Sequence, residues 1–151
     1  MATLDLKTIK KLRDATSSSI ADCRRALDEA NGDEKKALEW LKKRSAEIAA
    51  KKADRETSEG LIEAYIHGGG KVGVLVELLC ETDFVAKTDE YKHLAKEVAM
   101  QVAAMNPETV EDLLKQEYIR DSSQTIEQLV KGVIGTLGEN ITVKRFVRFE
   151  L

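Results

Sequence analysis

The sequence predicts an α+β fold, in which a module of three helices precedes a core where a three-stranded antiparallel sheet packs with helices. Apolar residues recur at helical spacing in the N-terminal third, β-branched residues flank the glycine run 68–70, and apolar residues alternate again between Ile141 and Phe149. A polar stretch separates the helical part from the first β-rich run. The expected units are a three-helix module at 1–53, a linker at 54–59, and an α+β core and dimerisation domain at 60–151.

Charge and residue chemistry exclude several classes of function. The net charge of −3 argues against a nucleic-acid binder that relies on bulk positive charge. Two cysteines and two histidines leave little for a disulfide framework, a metal site or acid–base catalysis. No serine or cysteine stands in a recognisable nucleophile–base setting. We therefore expect neither an enzyme nor a cofactor or metal site.

The apolar content is that of a soluble globular protein. Hydrophobic residues make up 42% of the chain, which suffices for a core, and both Cys23 and Cys80 lie on apolar stripes where a buried thiol is expected. No apolar run approaches the roughly 20 residues of a membrane span, and the N-terminus lacks the pattern of a signal peptide. We expect a cytoplasmic protein.

Three short helices are predicted in the N-terminal module. The first has an apolar residue at every third position from Leu6 to Leu12 and ends in hydroxyl residues 16–19, which favour caps and turns. The second ends at Asn31-Gly32, where glycine can take a left-handed conformation. The residues expected on the apolar stripes of the second and third helices are Ile20, Cys23, Ala26, Leu27, Ala30, Ala37, Leu38 and Leu41.

A β-hairpin is predicted by two β-rich runs, 61–67 and 71–80, on either side of the glycines. Residues 68–73 also match the G-x-G-x-x-G string, but a dinucleotide site needs a helix after the glycines, and a β-branched strand follows here. The second run carries Leu75 and Leu79 opposite its valines. We therefore expect this strand to be buried on both sides.

Further helices and a last strand are predicted after the hairpin. A loop at 82–87 precedes a helix with a clean apolar stripe over 91–102. Asn106 is expected to cap another helix, with Pro107 at its first position, and a further helix is expected over 126–137. Strict alternation in the last strand places Phe146 on one face and four residues on the other: Ile141, Val143, Val147 and Phe149.

Three strands cannot cover both faces of their own sheet. Helices can cover one face, and the apolar residues on the other need a second layer. A second subunit can supply that layer, so we expect a homodimer through the core sheet. The alternative is that the helices wrap both faces.

Phe84 has two interpretations. It is an aromatic residue in a predicted loop, flanked by Asp83 and Val85. It either folds back onto its own core or stands out as an apolar anchor beside a charge, the combination typical of a partner-binding hot spot. Composition and spacing alone favour the first interpretation, in which the ring packs on its own core.

Three groups of residues resemble signatures of bacterial translation elongation factor Ts. Residues 12–16 (Leu-Arg-Asp-Ala-Thr) and 22–27 (Asp-Cys-Arg-Arg-Ala-Leu) are similar to the family's N-terminal signature, and 82–87 (Thr-Asp-Phe-Val-Ala-Lys) to its core signature. Residues 138–141 (Gly-Glu-Asn-Ile) and the Arg-Phe-rich final strand resemble the family's ending. The resemblance spans essentially the whole chain.

The resemblance implies a guanine-nucleotide exchange factor for elongation factor Tu, the GTPase that carries aminoacyl-tRNA to the ribosome. It implies a ubiquitin-associated-like fold for the three-helix module, which docks on the GTPase domain. Phe84 would wedge between helices of that domain near the Mg²⁺ and nucleotide site, with Asp83 making polar contacts and Thr82 and Val85 shaping the loop. The docking surface of the module, or its support, would comprise Leu12, Arg13, Asp22 and Cys23.

The chain also departs from the family pattern. Serines at 17–19 stand where the family usually has glycines. Only one core copy is present, and the segment between Met105 and Gly132 has no room for the coiled-coil hairpin of longer members. Short members of the family pair as homodimers through the core sheet. The alternative function is a non-catalytic three-helix adaptor joined to a dimerising α+β domain.

Overall fold

The computed structural model describes residues 5–151, in which seven helices and five strands form a three-helix module and an α+β core. The module consists of α1 (Leu6–Thr16), α2 (Ile20–Glu29) and α3 (Glu34–Lys52). The core follows as β1 (Glu59–His67), β2 (Val72–Cys80), α4 (Asp83–Ala86), α5 (Asp89–Met105), α6 (Val110–Lys115), β3 (Glu117–Tyr118), β4 (Asp121–Thr125), α7 (Ile126–Leu137) and β5 (Ile141–Glu150). The predicted α+β class is confirmed.

The module has a small apolar core of its own. Each helix begins at a residue whose side chain accepts a hydrogen bond from a first-turn N–H, namely Asp5, Ser19 and Asp33. Ile20, expected on the buried stripe, is the first residue of α2 and is 49% exposed. The residues that are buried together are Ile9, Leu12, Cys23, Ala26, Leu27, Ala30, Ala37 and Leu41.

Helix α3 joins the module to the core. It contributes to both apolar cores: Leu41 lies in the core of the module, while Ala49 is buried in the core of the α+β part. It packs on α7, where Gly135 faces Ser45 so closely that a Cβ at position 135 would lie 2.5 Å from the Ser45 hydroxyl oxygen. The two parts of the chain are therefore in direct contact.

The sheet has the strand order β1-β2-β5, and both pairs of strands are antiparallel. Gly68, Gly69 and Gly70 form the hairpin turn with φ of 59°, 68° and 88°, which confirms the turn and its need for glycine. Helices α5 and α7 pack against one face of the sheet. The side chains that β2 buries beneath them are Val74, Val76, Leu78 and Cys80.

A β-bulge interrupts the pairing of β2 with β5. Leu78 is opposite Val143 and Glu77 is opposite Arg145, which leaves Lys144 without a partner in the ladder. An extra residue in one strand reverses which side chains face the core beyond it. The strict alternation expected for β5 is therefore broken at this point.

The bulge corrects the predicted faces of β5. Ile141 and Val143 are buried as expected, but beyond the bulge it is Phe146 that packs against the core. Val147 and Phe149 lie on the opposite face and are 40% and 73% exposed. The prediction that Val147 and Phe149 share a face with Ile141 and Val143, opposite Phe146, is therefore wrong.

The other face of the sheet is open in the single chain. Leu75, expected to be buried, is 47% exposed, so the prediction that β2 is buried on both sides is wrong for one copy of residues 5–151. Helices do not wrap both faces of this part of the chain. We call the exposed apolar set the open sheet face; it comprises Ile62, Ile66, Leu75, Val147 and Phe149.

The predicted start of α6 is also wrong. Asn106 does not cap it; it terminates α5 in a left-handed conformation with φ of 46°, and its N–H donates to the Val102 carbonyl oxygen. The helix begins instead at Val110, with the Thr109 side chain accepting from the N–H of Asp112. Asparagine suits both ends of a helix, because it tolerates the left-handed region as well as serving as an N-cap.

The short hairpin β3–β4 was not predicted, because its sequence is polar and does not alternate. It is held by buried polar side chains of α5: Gln101 donates to the Glu117 carbonyl oxygen and accepts from the N–H of Ile119, and Glu97 accepts from the Tyr118 hydroxyl.

Along residues 5–151, no helix combines the length and apolar character that crossing a membrane requires.

Candidate protein-binding site

Phe84 stands out from the surface at the junction of β2 and α5. Its side chain is 80% exposed, although the preceding strand and the following helix are largely buried. The predicted loop is in fact the one-turn helix α4, in which Ala86 is buried and Val85 packs partly against the core. The interpretation in which Phe84 folds back onto its own core is therefore excluded.

Thr82 and Thr88 fix the two ends of this turn. Thr82 is extended and its hydroxyl oxygen accepts from the N–H of Val85 at 3.4 Å. The Thr88 hydroxyl donates to the Val85 carbonyl oxygen at 2.7 Å and also caps α5 by accepting from the N–H of Tyr91 at 3.3 Å. The turn is thus closed by side chains on both sides of Phe84.

Asp83 places a negative charge next to the exposed ring. Lys87 donates a hydrogen bond to its carboxylate at 2.8 Å, and this bond together with the attraction between the two charges lowers the pKa of Asp83. The carboxylate is therefore ionised at neutral pH. The site presents an exposed apolar ring flanked by an exposed charged pair.

Beneath the turn lie the buried side chains of Tyr91 and Cys80. The Tyr91 hydroxyl donates to the Leu78 carbonyl oxygen at 2.5 Å, and the Cys80 thiol donates to the Thr82 carbonyl oxygen at 3.1 Å. Burial raises the pKa of both Tyr91 and Cys80, so both stay protonated at neutral pH. They support the turn and are not poised as nucleophiles.

The predicted site residues of the module divide into exposed and buried ones. Arg13 is exposed, and Asp22 is half-buried with its carboxylate accepting from the Ser19 hydroxyl at 2.9 Å. Leu12 and Cys23 are fully enclosed in the module core. They can support a docking surface from below but cannot touch a partner.

Both cysteines occupy core positions, as predicted. Cys23 and Cys80 are free thiols with no exposed surface, and they lie in separate cores. Burial raises the pKa of Cys23 as well, reinforced by the nearby negative charge of Asp22. In the described residues, no three His, Cys, Asp or Glu side chains converge in a way that could hold a metal ion.

Glu139 is the site residue that sequence reasoning missed. Its two carboxylate oxygens accept from the N–H of Thr82 at 2.9 Å and from the Thr82 hydroxyl at 2.7 Å. It lies 57 positions away in the sequence, so no local periodicity connects the two residues. The one available signal was its place in the Gly-Glu-Asn-Ile step, which resembles a family signature.

Comparison with known proteins places these features in a family. The family model described as "Elongation factor TS" matches residues 81–151, which include the turn, Glu139 and β5. The chain is similar to elongation factor Ts of Oleidesulfovibrio alaskensis, with 41% identity over 196 aligned positions that cover 100% of this chain and 99% of the relative. It is also similar to elongation factor Ts of Carboxydothermus hydrogenoformans, with 43% identity covering 95% of this chain and 87% of the relative.

The relatives differ in how much they add to this chain. The alignment with the Oleidesulfovibrio protein has 196 positions against 151 residues here, so that relative carries residues that this chain lacks. Elongation factor Ts of a Nostoc species is 46% identical over 151 positions, which cover 100% of this chain but 48% of that relative. With identities of this size over its whole length, the chain belongs to the elongation factor Ts family of translation elongation factors.

Proposed function

We propose that this chain is a guanine-nucleotide exchange factor for elongation factor Tu, and that it promotes GDP release by inserting Phe84 near the nucleotide and Mg²⁺ site of that GTPase. The observation that carries the proposal is the 80% exposure of Phe84 on a turn that is capped at both ends. Aromatic residues, phenylalanine included, are enriched at the cores of protein–protein interfaces. The activity belongs to the cytoplasm, where translation takes place.

Burial of the single Phe84 ring can account for a sizeable weakening of GDP binding. Burying a phenylalanine side chain contributes about 1.5–3 kcal/mol, and each factor of ten in affinity corresponds to about 1.4 kcal/mol. If the ring binds only the form of the GTPase that holds nucleotide poorly, linkage requires the nucleotide and the exchange factor to weaken each other equally. Phe84 can therefore supply a coupling of roughly tenfold to a hundredfold without any covalent chemistry.

The neighbours of Phe84 have distinct roles in this proposal. Asp83, ionised and paired with Lys87, makes polar contacts at the rim of the inserted ring. Thr82 caps the turn and Val85 anchors it to the core, so neither residue needs to touch the GTPase to matter. A turn that is already ordered loses little conformational entropy on binding.

The N-terminal module supplies a second contact in the proposal. Its ubiquitin-associated-like fold docks on the GTPase domain through the exposed Arg13 and the rim around Asp22, while Leu12 and Cys23 support that surface from the module core. Because α3 packs on α7, the module and Phe84 are parts of one connected scaffold. Two linked contacts raise affinity more than either alone.

A second copy of the chain is proposed to cover the open sheet face. Five large apolar side chains on that face are between 40% and 73% exposed, and they lie on all three strands. The same patch on each copy allows a symmetric contact, in which every residue meets the equivalent surface of its partner. Neighbouring exposed apolar residues of this kind mark an association surface.

The decisive experiment is stopped-flow release of a fluorescent GDP from elongation factor Tu, with and without the full chain. We expect release to accelerate with the concentration of the chain and to reach a plateau. The non-catalytic adaptor predicts binding without acceleration. Unchanged release at a concentration that saturates binding would refute the exchange function.

A further inference from the structure

Two carboxylates connect the end of β2 to the beginning of β5 in a reciprocal way. Glu139 accepts from both the N–H and the hydroxyl of Thr82, at 2.9 and 2.7 Å. Glu81 accepts from the N–H of Asn140 at 2.8 Å. Both backbone N–H groups lie just beyond the last residue pair of the β2–β5 ladder. The side chains continue the connection of the strands where the backbone ladder stops.

Asn140 anchors the same turn to the segment that follows α3. It is 5% exposed, and its side-chain nitrogen donates to the carbonyl oxygens of Ala53 at 3.3 Å and Arg55 at 2.9 Å. An amide nitrogen has two hydrogens, so it can satisfy both carbonyls at once. The turn that carries Glu139 is therefore held on two sides and is a firm support for whatever Glu139 binds.

Helix α4 needs such a support. A single helical turn does not form by itself, because nucleation costs more backbone entropy than one hydrogen bond returns. Its cap residue, Thr82, gives both of its donors to one charged acceptor, which is the strong form of hydrogen bond. Phe84 follows two residues later, so the orientation of its ring depends on where Glu139 holds Thr82.

We propose that Glu139 is a positioning residue that fixes the orientation in which Phe84 is presented to the GTPase. The proposal rests on the exchange function proposed above. Without Glu139 the turn still carries the Phe84 ring, but the ring samples orientations that do not fit the GTPase. The ring must then be ordered during binding, which costs conformational entropy. Because the module's contact with the GTPase is untouched, we expect the maximal rate of exchange to fall more than the affinity.

The variants Glu139→Ala and Glu139→Gln separate positioning from charge. Glutamine can accept from the Thr82 N–H with its oxygen and donate to the Thr82 hydroxyl oxygen with its nitrogen, so it retains both contacts. We expect Glu139→Ala to lose at least about tenfold in the maximal rate of GDP release and Glu139→Gln to restore most of it. Glu127→Ala is the matched control, because Glu127 is exposed on α7 and pairs loosely with Lys131 at 3.4 Å.

The deciding comparison is made in a Phe84→Ala background. If Glu139 acts through Phe84, Glu139→Ala causes no further loss of rate once the ring is gone. Full additivity of the two losses would overturn the positioning role, and so would a wild-type rate for Glu139→Ala. A wild-type rate for Phe84→Ala would instead overturn the exchange function proposed for that ring.

A measurement on the free chain decides the positioning role independently of any partner. Amide hydrogen exchange at Thr82 and Val85 reports the two N–H groups that the connection protects. We expect their exchange to accelerate by about tenfold or more in Glu139→Ala and to stay unchanged in Glu127→Ala. Unaltered protection in Glu139→Ala would mean that the turn holds its shape without Glu139.

Discussion

The hydroxyl of Thr82 lies 2.7 Å from Oε2 of Glu139, and this contact joins the start of the exposed turn to a residue 57 positions further along the chain. The same hydroxyl oxygen accepts from the N–H of Val85. Thr82 thus links the turn on one side to the β5 end of the sheet on the other. Phe84 is therefore exposed on an ordered, capped turn and not on a loose loop.

Replacing Thr82 by valine tests this link at constant side-chain shape. The substitution leaves one oxygen of Glu139 unpaired and removes the cap of α4, which we expect to destabilise the fold by about 1–3 kcal/mol. Thr82→Ser keeps the hydroxyl and should lose much less. Urea unfolding of the three proteins measures the difference, and equal stability of the valine and serine variants would contradict it.

The elements with a regular apolar pattern were predictable from the sequence. The three module helices, the glycine hairpin and α7 all lie where periodicity placed them, because their burial follows a single repeat. The errors fall where a local irregularity breaks the repeat. Lys144 shifts the register of β5 by one residue, and Asn106 ends a helix with a residue that serves equally well to begin one.

The candidate site was predictable only in part. The sequence singles out Phe84 as an aromatic residue in a predicted loop beside a charge, but whether its ring faces inward or outward depends on contacts outside its own segment. Glu139 and Asn140 could not be assigned roles, because their partners are distant in sequence and belong to other elements. Hydrogen bonds between distant segments leave no periodic signal.

Phe84→Ala should separate stability from function. Since the ring is 80% exposed, its loss should change the free energy of unfolding by less than about 0.5 kcal/mol. GDP release from elongation factor Tu should slow by well over about tenfold, equivalent to more than about 1.4 kcal/mol of lost coupling. Met105→Ala, another exposed apolar side chain, is the control and should leave release unchanged. A folded Phe84→Ala protein with normal release rates would rule out the wedge.

The open sheet face predicts a dimer that charge can dissociate. Wild-type chain should show a dimer mass by light scattering at micromolar concentration, with a shift toward monomer on dilution. Ile66→Lys combined with Phe149→Lys places two cations on each copy of the patch, and we expect the double variant to be a folded monomer. A wild-type monomer mass that does not change with concentration would refute the dimer.

Two serines of the α1–α2 turn should respond oppositely to glycine. Ser17 has a φ of 56°, a left-handed conformation that costs a non-glycine residue about 1–2 kcal/mol. Glycine removes this cost, but it also has greater conformational entropy in the unfolded chain. We therefore expect Ser17→Gly to stabilise the chain by about 0.5–1 kcal/mol. Ser19 has an ordinary φ and caps α2 through its hydroxyl, so Ser19→Gly should be destabilising by a few tenths of a kcal/mol. Thermal unfolding distinguishes the two, and a lower melting temperature for Ser17→Gly would show that the left-handed turn is not the source of strain.

Two glycines of α7 test how the module is attached to the core. A Cβ at Gly135 would lie 2.5 Å from Oγ and 2.9 Å from Cα of Ser45, so Gly135→Ala must push α3 away from α7 and should cost about 1–3 kcal/mol. At Gly132 nothing lies within 4 Å of the added Cβ, and alanine there should stabilise the helix by about 0.5–1 kcal/mol. Both variants replace glycine by alanine on the same helix, so helix propensity alone would raise the stability of both.

Urea unfolding measures the two effects. The fluorescence of Trp40, the chain's single tryptophan, reports the module, while circular dichroism reports the whole chain. If Gly135→Ala lowers and Gly132→Ala raises the free energy of unfolding, close contact of α3 with α7 holds the module in place. A Gly135→Ala protein as stable as Gly132→Ala would refute this role of the contact.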